Sequence, residues 1–330
     1  MEYPTLLKKI NFKFLIVLLC LASCQQTPKN LNDAVLKKKT LFSENERSEV
    51  RTNAFDLDTV VVIDEWLLHE NQLICKSRKN KFFFYHFNLK DFSYNKAWGS
   101  KGEGPDEFIA PHLLPLSSTS CLVIDNGKRE VVCLDNGGVV KKMLMPTKVV
   151  SSPLMYKYPL IGYVEKSPHK IVWQIQNIET LERIDSLSFI DDTRQGNSFL
   201  YDFCWDIHEN ILLLASLYED RFMMAEIQNG RIVNKVLYYG DGLADENTPC
   251  YSDVQCTKEY IYLLSQKEVD IRKGEGFSVV EIYDYNGNPK MLLELDIIAR
   301  RMLVDTENER LLFHSPMDDE IHVLDWKVRL

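Results

Sequence analysis

The stretch CLVIDNGKREVVCLDNGG, residues 121–138, decides the fold. Leu122-Val123-Ile124 and Val131-Val132-Cys133-Leu134 are short apolar runs separated by the polar turn Asp125-Asn126-Gly127-Lys128-Arg129, and Asn136-Gly137-Gly138 makes a second turn. β-Branched residues fit a pleated surface and Asn-Gly supplies the backbone freedom of a tight turn, so the stretch reads as an antiparallel hairpin leading into a third strand. The same phrase recurs. Residues 73, 122, 161, 212, 262 and 312 lie in the first run of each copy, at steps of 49, 39, 51, 50 and 50. The second runs are Phe82–Phe87, Val131–Leu134, Ile171–Ile175, Phe222–Ile227, Val279–Tyr283 and Ile321–Leu324. A less regular strand precedes each pair, as at Ile109–Leu116, Tyr201–Ile207 and Ile298–Asp305.

Six near-equal units of four strands predict an all-β fold, a six-bladed β-propeller of four-stranded antiparallel blades. A β-sandwich would account for the strands but gives no reason for the period. The sixth unit runs out of chain, because only Lys327–Leu330 follow its hairpin. An N-terminal strand near Glu49–Phe55 is therefore expected to close the ring on the last blade, since an open edge invites aggregation.

Composition narrows the class. With 330 residues, 45% of them hydrophobic and 26% charged, the chain can bury a full-sized core. A formal charge of −9 argues against a general nucleic-acid binder, which rewards a basic surface.

The chain starts with an export signal. Lys8, Lys9 and Lys13 precede the apolar run Phe14–Ala22, which is too short to span a bilayer. Leu21-Ala22-Ser23-Cys24 resembles the lipobox of bacterial lipoproteins, which implies cleavage before Cys24 and lipidation of that residue. Gln25 and Gln26 lack the Asp that retains such proteins at the inner membrane, so the resemblance implies the outer membrane, on its periplasmic or cell-surface face. The expected organisation is a signal peptide over 1–23, a lipidated Cys24 and flexible tether over 24–48, and the propeller over 49–330. At most a short helix is expected around Asp33–Leu41.

The segment LICKSRKNKFFFYHFNLKDFSYNKAWGSKGEGPDEF, residues 73–108, resembles the TolB-like six-bladed propeller lipoproteins of Gram-negative bacteria. The likeness implies that Gly102, Glu103, Gly104, Pro105, Glu107 and Phe108 form the turn joining the first blade to the second. It implies a fold and an envelope location and carries no catalytic residue.

The usual catalytic patterns are absent from the sequence. There is no Gly-x-Ser-x-Gly elbow, no His-Glu-x-x-His and no Cys-x-x-Cys. The acidic turns Asp305–Glu309 and Asp318–Glu320 lack the Gly and distal Glu of a calcium loop. No catalytic residue, metal or cofactor is expected. Cys121 and Cys133 flank one hairpin symmetrically and read either as a cross-strand bridge or, given the strain of such bridges, as two small strand residues.

Ligand contacts should gather where hairpin turns and inter-blade joints meet. Arg78, Arg129, Arg221 and Arg300 are the contact candidates there. The expected function is a monomeric, non-enzymatic binding or scaffolding module for a protein, peptide or glycan of the envelope, held to the membrane through Cys24. The alternative is a metal-dependent, lactonase-like hydrolase, which needs three or four carboxylate or amide ligands converging at the channel mouth.

Overall fold

Each recurring phrase forms one blade. The computed structural model describes residues 34–57, 62–69, 71–115, 120–135, 138–144, 154–157, 159–167, 170–180, 182–189, 203–243, 250–270, 273–318 and 320–326. The predicted signal peptide and Cys24 lie outside them.

From the axis outward, blade 1 is Glu65–His69, Gln72–Lys76, Phe82–Asn88 and Tyr94–Ser100. Blade 2 is Pro111–Pro115, Ser120–Asp125, Glu130–Asp135 and Gly138–Leu144. Blade 3 is Leu154–Lys157, Leu160–Ser167, Lys170–Asn177 and Arg183–Phe189. Blade 4 is Phe203–His208, Ile211–Ser216, Glu219–Gln228 and Arg231–Leu243. Blade 5 is Tyr251–Cys256, Tyr260–Ser265, Val279–Asp284 and Pro289–Leu295. Blade 6 takes Arg301–Asp305, Arg310–His314 and Ile321–Asp325 from the C-terminal end and Asn53–Phe55 from the N-terminal end. The expected closure is present: Phe55 pairs with Ile321 and Asn53 with Val323, antiparallel.

The segment before that strand departs from the expectation. Where a tether and a short helix were anticipated, Val35–Lys38 adds a fifth, parallel strand to the outer edge of blade 4, with Val35 opposite Val236. A 3-10 turn at Glu44–Glu46 follows, closed by reciprocal Ser43 and Glu46 capping. Arg47–Val50 then adds a parallel strand to blade 5, so Glu49 and Val50 belong there and not to blade 6. An unpaired sheet edge offers a row of backbone donors and acceptors, and pairing with it outweighs the local helix preference of this Lys-rich stretch. The N-terminal segment is thus a strap across three consecutive blades.

The core is divided among the seams. Six apolar clusters among the described residues each join two neighbouring blades: Phe83, Phe84 and Phe108 with Val123 and Val132 between blades 1 and 2, and Leu73 and Phe87 with Leu312 and Val323 between blades 1 and 6. At the closing seam Phe55 of the N-terminal strand packs against Phe92 of blade 1, with 4.8 Å between ring centroids, over Leu312 and Val323 of blade 6. Closure by the N-terminal strand is therefore a packing event as well as a hydrogen-bonding one.

Register also settles the cysteines. Cys121 pairs with Leu134 and Leu122 with Cys133, which puts the two thiols on opposite faces of blade 2. Cys121 packs in the seam with blade 1 and Cys133 in the seam with blade 3, so a bridge between them is geometrically excluded.

Candidate functional site

Strand direction gathers two kinds of connection at one end of the ring: the turns between second and third strands, and the joints that lead from an outer strand into the next blade. The joint from blade 1 to blade 2 is the Gly102–Phe108 segment. Gly102 N–H donates to Phe108 C=O at 3.0 Å, and Phe108 N–H donates back to Ser100 at 2.8 Å. The Glu107 carboxylate folds under the loop and accepts from Gly104 N–H at 2.8 Å. Gly102 sits at φ +150, and a Cβ there would meet Glu107 Oε2 at 2.0 Å, so the motif needs this glycine. Lys128, from the hairpin turn of blade 2, donates to the carbonyls of Gly104 and Glu107 at 2.5 Å each. Phe108 is buried in the seam below, edge-on to Trp98. Glu103 and Pro105 are exposed on the outer surface of the loop.

Asp125 organises the other side of the same joint. Its buried carboxylate accepts from the backbone N–H of Ile109, Ala110, Gly127 and Lys128 at 2.9 to 3.3 Å. Four donors on one carboxylate fix the hairpin turn of blade 2 to the joint that precedes it.

The candidate arginines occupy this end of the ring but are not drawn together. Arg78 pairs with Asp64 at 3.0 Å while 71% of its side chain stays exposed. Arg129 is exposed in the blade 2 turn at φ 57, and Arg300 is exposed in the joint before blade 6. Arg221 is different: its Nε lies 2.5 Å from Glu219, and its side chain is mostly buried. Three of the four are thus presented outward, one per blade, and Arg221 is engaged within its own hairpin.

The channel wall carries acids that sequence reasoning missed. On the inner strand of blade 4, Asp206 accepts Cys256 N–H from the inner strand of blade 5 at 2.6 Å. One blade on, Asp253 accepts Met302 N–H from blade 6 at 2.9 Å. In blade 1, Glu65 pairs with His112 of blade 2 at 3.0 Å and with Lys76 at 2.9 Å. In three blades, then, an inner-strand acid caps the open edge or the first side chain of the next. Burial pushes Asp206 up to about 7 against the pull of the Cys256 and Ile207 amides, and the nearby Asp253 adds to the rise. Burial also opposes ionisation of Glu65, but the His112 hydrogen bond and the Lys76 charge outweigh it and hold the carboxyl at about 2.

A second missed cluster sits where the strap crosses from blade 4 to blade 5. Lys39 Nζ lies 2.8 Å from both Asp220 and Glu281, and Lys267 Nζ lies 2.8 Å from the same two acids. Tyr251 donates to Asp220 at 2.7 Å and Tyr283 to Glu281 at 2.9 Å. The rings of Phe222, Tyr251 and Tyr283 surround the Lys39 ammonium. Two cations answer two anions, so the cluster is neutral and locks the strap. The signal available in sequence was only a lysine in a lysine-rich stretch.

No family model and no curated protein matches the chain. Solved structures do match in fold. A member of the DUF4221 family from Bacteroides vulgatus superposes with a TM-score of 0.57 at 10% identity, over 82% of this chain and 94% of the other. A Bacteroides fragilis protein that carries an exported-protein description gives 0.55 at 10% identity, over 88% and 98%. The structure of U3-55K gives 0.51 at 7% identity, over 82% and 97%. At these identities the likeness is one of architecture, and with the six four- or five-stranded blades and the six seams among the described residues it identifies the chain as a six-bladed β-propeller.

Proposed function

We propose that the chain is a lipid-anchored envelope protein of the TolB-like propeller kind, tethered to the outer membrane through Cys24, whose turn-and-joint end holds a protein, peptide or glycan. The observation that carries this reading is the division of labour among its charges. Glu65, Asp206 and Asp253 on the inner strands are engaged by neighbouring lysine, histidine or backbone donors, whereas Arg78, Arg129 and Arg300 are presented outward from three different blades. A lactonase-like centre needs carboxylate or amide ligands that converge on one point, and these three acids are instead each turned to a different inter-blade neighbour. A binding face needs rigidly held, outward side chains, and here the loops are fixed by Asp125, Glu107 and Lys128.

The exported-protein description of the Bacteroides fragilis neighbour agrees with an envelope address. The exposed arginines favour a partner with carboxylate, phosphate or dense hydroxyl groups. Two arms of one experiment test the reading. Cells expressing the protein are fed an alkyne fatty acid and fractionated, and a photo-crosslinking residue placed in turn at Arg78, Arg129 and Arg300 is activated in the same cells. Lipid label in the outer membrane that is lost in Cys24→Ala, with a discrete crosslinked species, supports it. Unlabelled protein, or labelled protein with no crosslink from any of Arg78, Arg129 and Arg300, overturns the anchor or the binding face respectively.

A further inference from the structure

At the hairpin turn of blade 6, three hydrogen-bond gaps run in series with too few protons to fill them. Thr52 Oγ1 lies 3.0 Å from Asp296 Oδ1, His322 Nδ1 lies 3.2 Å from Thr52 Oγ1, and His322 Nε2 lies 3.0 Å from Asp318 Oδ2. Carboxylates at both ends can only accept. The threonine hydroxyl has one hydrogen, and a neutral imidazole has one more. The hydroxyl hydrogen goes to Asp296, because a bond to a carboxylate is the stronger choice. The imidazole hydrogen then has two gaps to fill: on Nε2 it answers Asp318 and leaves the Nδ1 lone pair against the hydroxyl oxygen, and on Nδ1 it answers the hydroxyl and leaves the Nε2 lone pair against the carboxylate. A cation held at Nε2 resolves both, because it frees the ring hydrogen for Nδ1.

The sequence around this contact is Asp318-x-Glu320-x-His322. A period of two puts alternate residues on one side of a strand and its approach, and ligand atoms of Asp318, Glu320 and His322 all lie within 4.8 Å of one another. His322 is 6% exposed, Glu320 is half-buried and Asp318 is exposed. A second imidazole proton would satisfy one acceptor and leave Glu320 unanswered. A divalent cation would satisfy the nitrogen and both carboxylates together.

We propose that His322 Nε2 and the Asp318 and Glu320 carboxylates form a divalent transition-metal site of the zinc class, with one position open to water or to an anionic group. One imidazole and two carboxylates are a three-donor set that suits such an ion. Thr52 and Asp296 are the outer partners that fix the imidazole tautomer and aim Nε2 outward. The missing glycine and distal glutamate exclude a calcium loop at this turn but do not bear on a three-donor site. Because Thr52 immediately precedes the closing strand Asn53–Phe55, occupancy would also tighten ring closure.

Full-length protein purified in detergent and stripped with chelator is titrated with Zn²⁺ alone by calorimetry, and its melting is followed with and without the ion. One equivalent should bind and raise the melting temperature. His322→Gln should abolish binding, and Thr52→Val should weaken it by about tenfold or more. Glu320→Gln, which lies outside the hydrogen-bond series, should weaken binding by a similar factor, again about tenfold, while leaving zinc-free melting unchanged. The cysteine thiols stay intact in every variant, so binding that persists unchanged in both Glu320→Gln and His322→Gln belongs to them and overturns the proposal. Absence of binding overturns it too, and assigns the gap to an imidazolium proton.

Discussion

The Lys39 ammonium lies 2.8 Å from the Glu281 carboxylate across a sequence separation of 242 residues, with both side chains 7% exposed. This pair fastens the strap to the seam between blades 4 and 5. Lys267 shares the same two acids but is 29% exposed.

Removing one partner of a buried ionic cluster leaves uncompensated charge, at a cost of about 3 kcal/mol. Lys39→Met is expected to reduce unfolding free energy by that order in urea titrations, and to open residues 34–46 to limited proteolysis first. Lys267→Met should cost less, because water can reach the acids it leaves. Equal losses for the two variants would mean that the strap is not held by Lys39.

Two sets of carboxyls make stability depend on pH with opposite sign. Burial disfavours ionised Glu281, but the Lys39 and Lys267 charges outweigh it and hold the carboxyl at about 2, as His112 and Lys76 do for Glu65. Their folded values lie below the unfolded one, so the stability they bring is present above about pH 4.5 and is lost as pH falls toward 2. Asp206, raised to about 7 by burial, works the other way: its contribution is present below about pH 4 and is lost as pH rises through 7. Melting temperature should therefore fall on both sides of a maximum near pH 5. Asp206→Asn keeps an oxygen for the Cys256 amide and should flatten the decline between pH 5 and 8 while leaving the acid limb unchanged.

The blades were legible because each second strand is buried on both faces and so repeats as an unbroken apolar run, as in Leu212-Leu213-Leu214 and Tyr262-Leu263-Leu264. The closing strand was legible from a shortage, since the last hairpin had no outer partner of its own. The strap was not, because Val35-Leu36-Lys37-Lys38 has neither a period of two nor a buried residue, and its conformation is imposed by the edge it meets. The inner-strand acids and Lys39 were hidden for a related reason. Asp206 and Cys256 are 50 residues apart, and Lys39 and Asp220 are 181 apart, distances at which spacing carries no information. Arg221 read as a surface cation because the sequence does not reveal that Glu219 folds back onto it.

The Gly102–Phe108 joint makes a sharp prediction about backbone. At φ +150 an added methyl is strained whatever the space, and here it would also strike the Glu107 carboxylate. Gly102→Ala should lower stability by about 2 kcal/mol. Adding Glu107→Ala removes the clash but also the Gly104 hydrogen bond, so the double variant should recover only part of the loss in denaturant titrations. Full recovery would show that sterics alone fix the glycine.

The outward arginines separate binding from folding. Arg129 and Arg300 are exposed, whereas Arg78 is 71% exposed but pairs with an Asp64 that is only 16% exposed, so Arg78 is neutralised and not reversed. Arg78→Gln, Arg129→Glu and Arg300→Glu should leave the melting temperature nearly unchanged and abolish crosslinking to the partner. Arg221→Glu is the internal control: it places a second acid against Glu219 in a mostly buried hairpin and should destabilise the fold before it reports on any partner. If instead these three substitutions are silent in crosslinking, recognition uses another part of the ring. The amide-rich depression at its opposite end, formed by Asn71, Gln72, Asn88 and Asn95, would then be the surface to label.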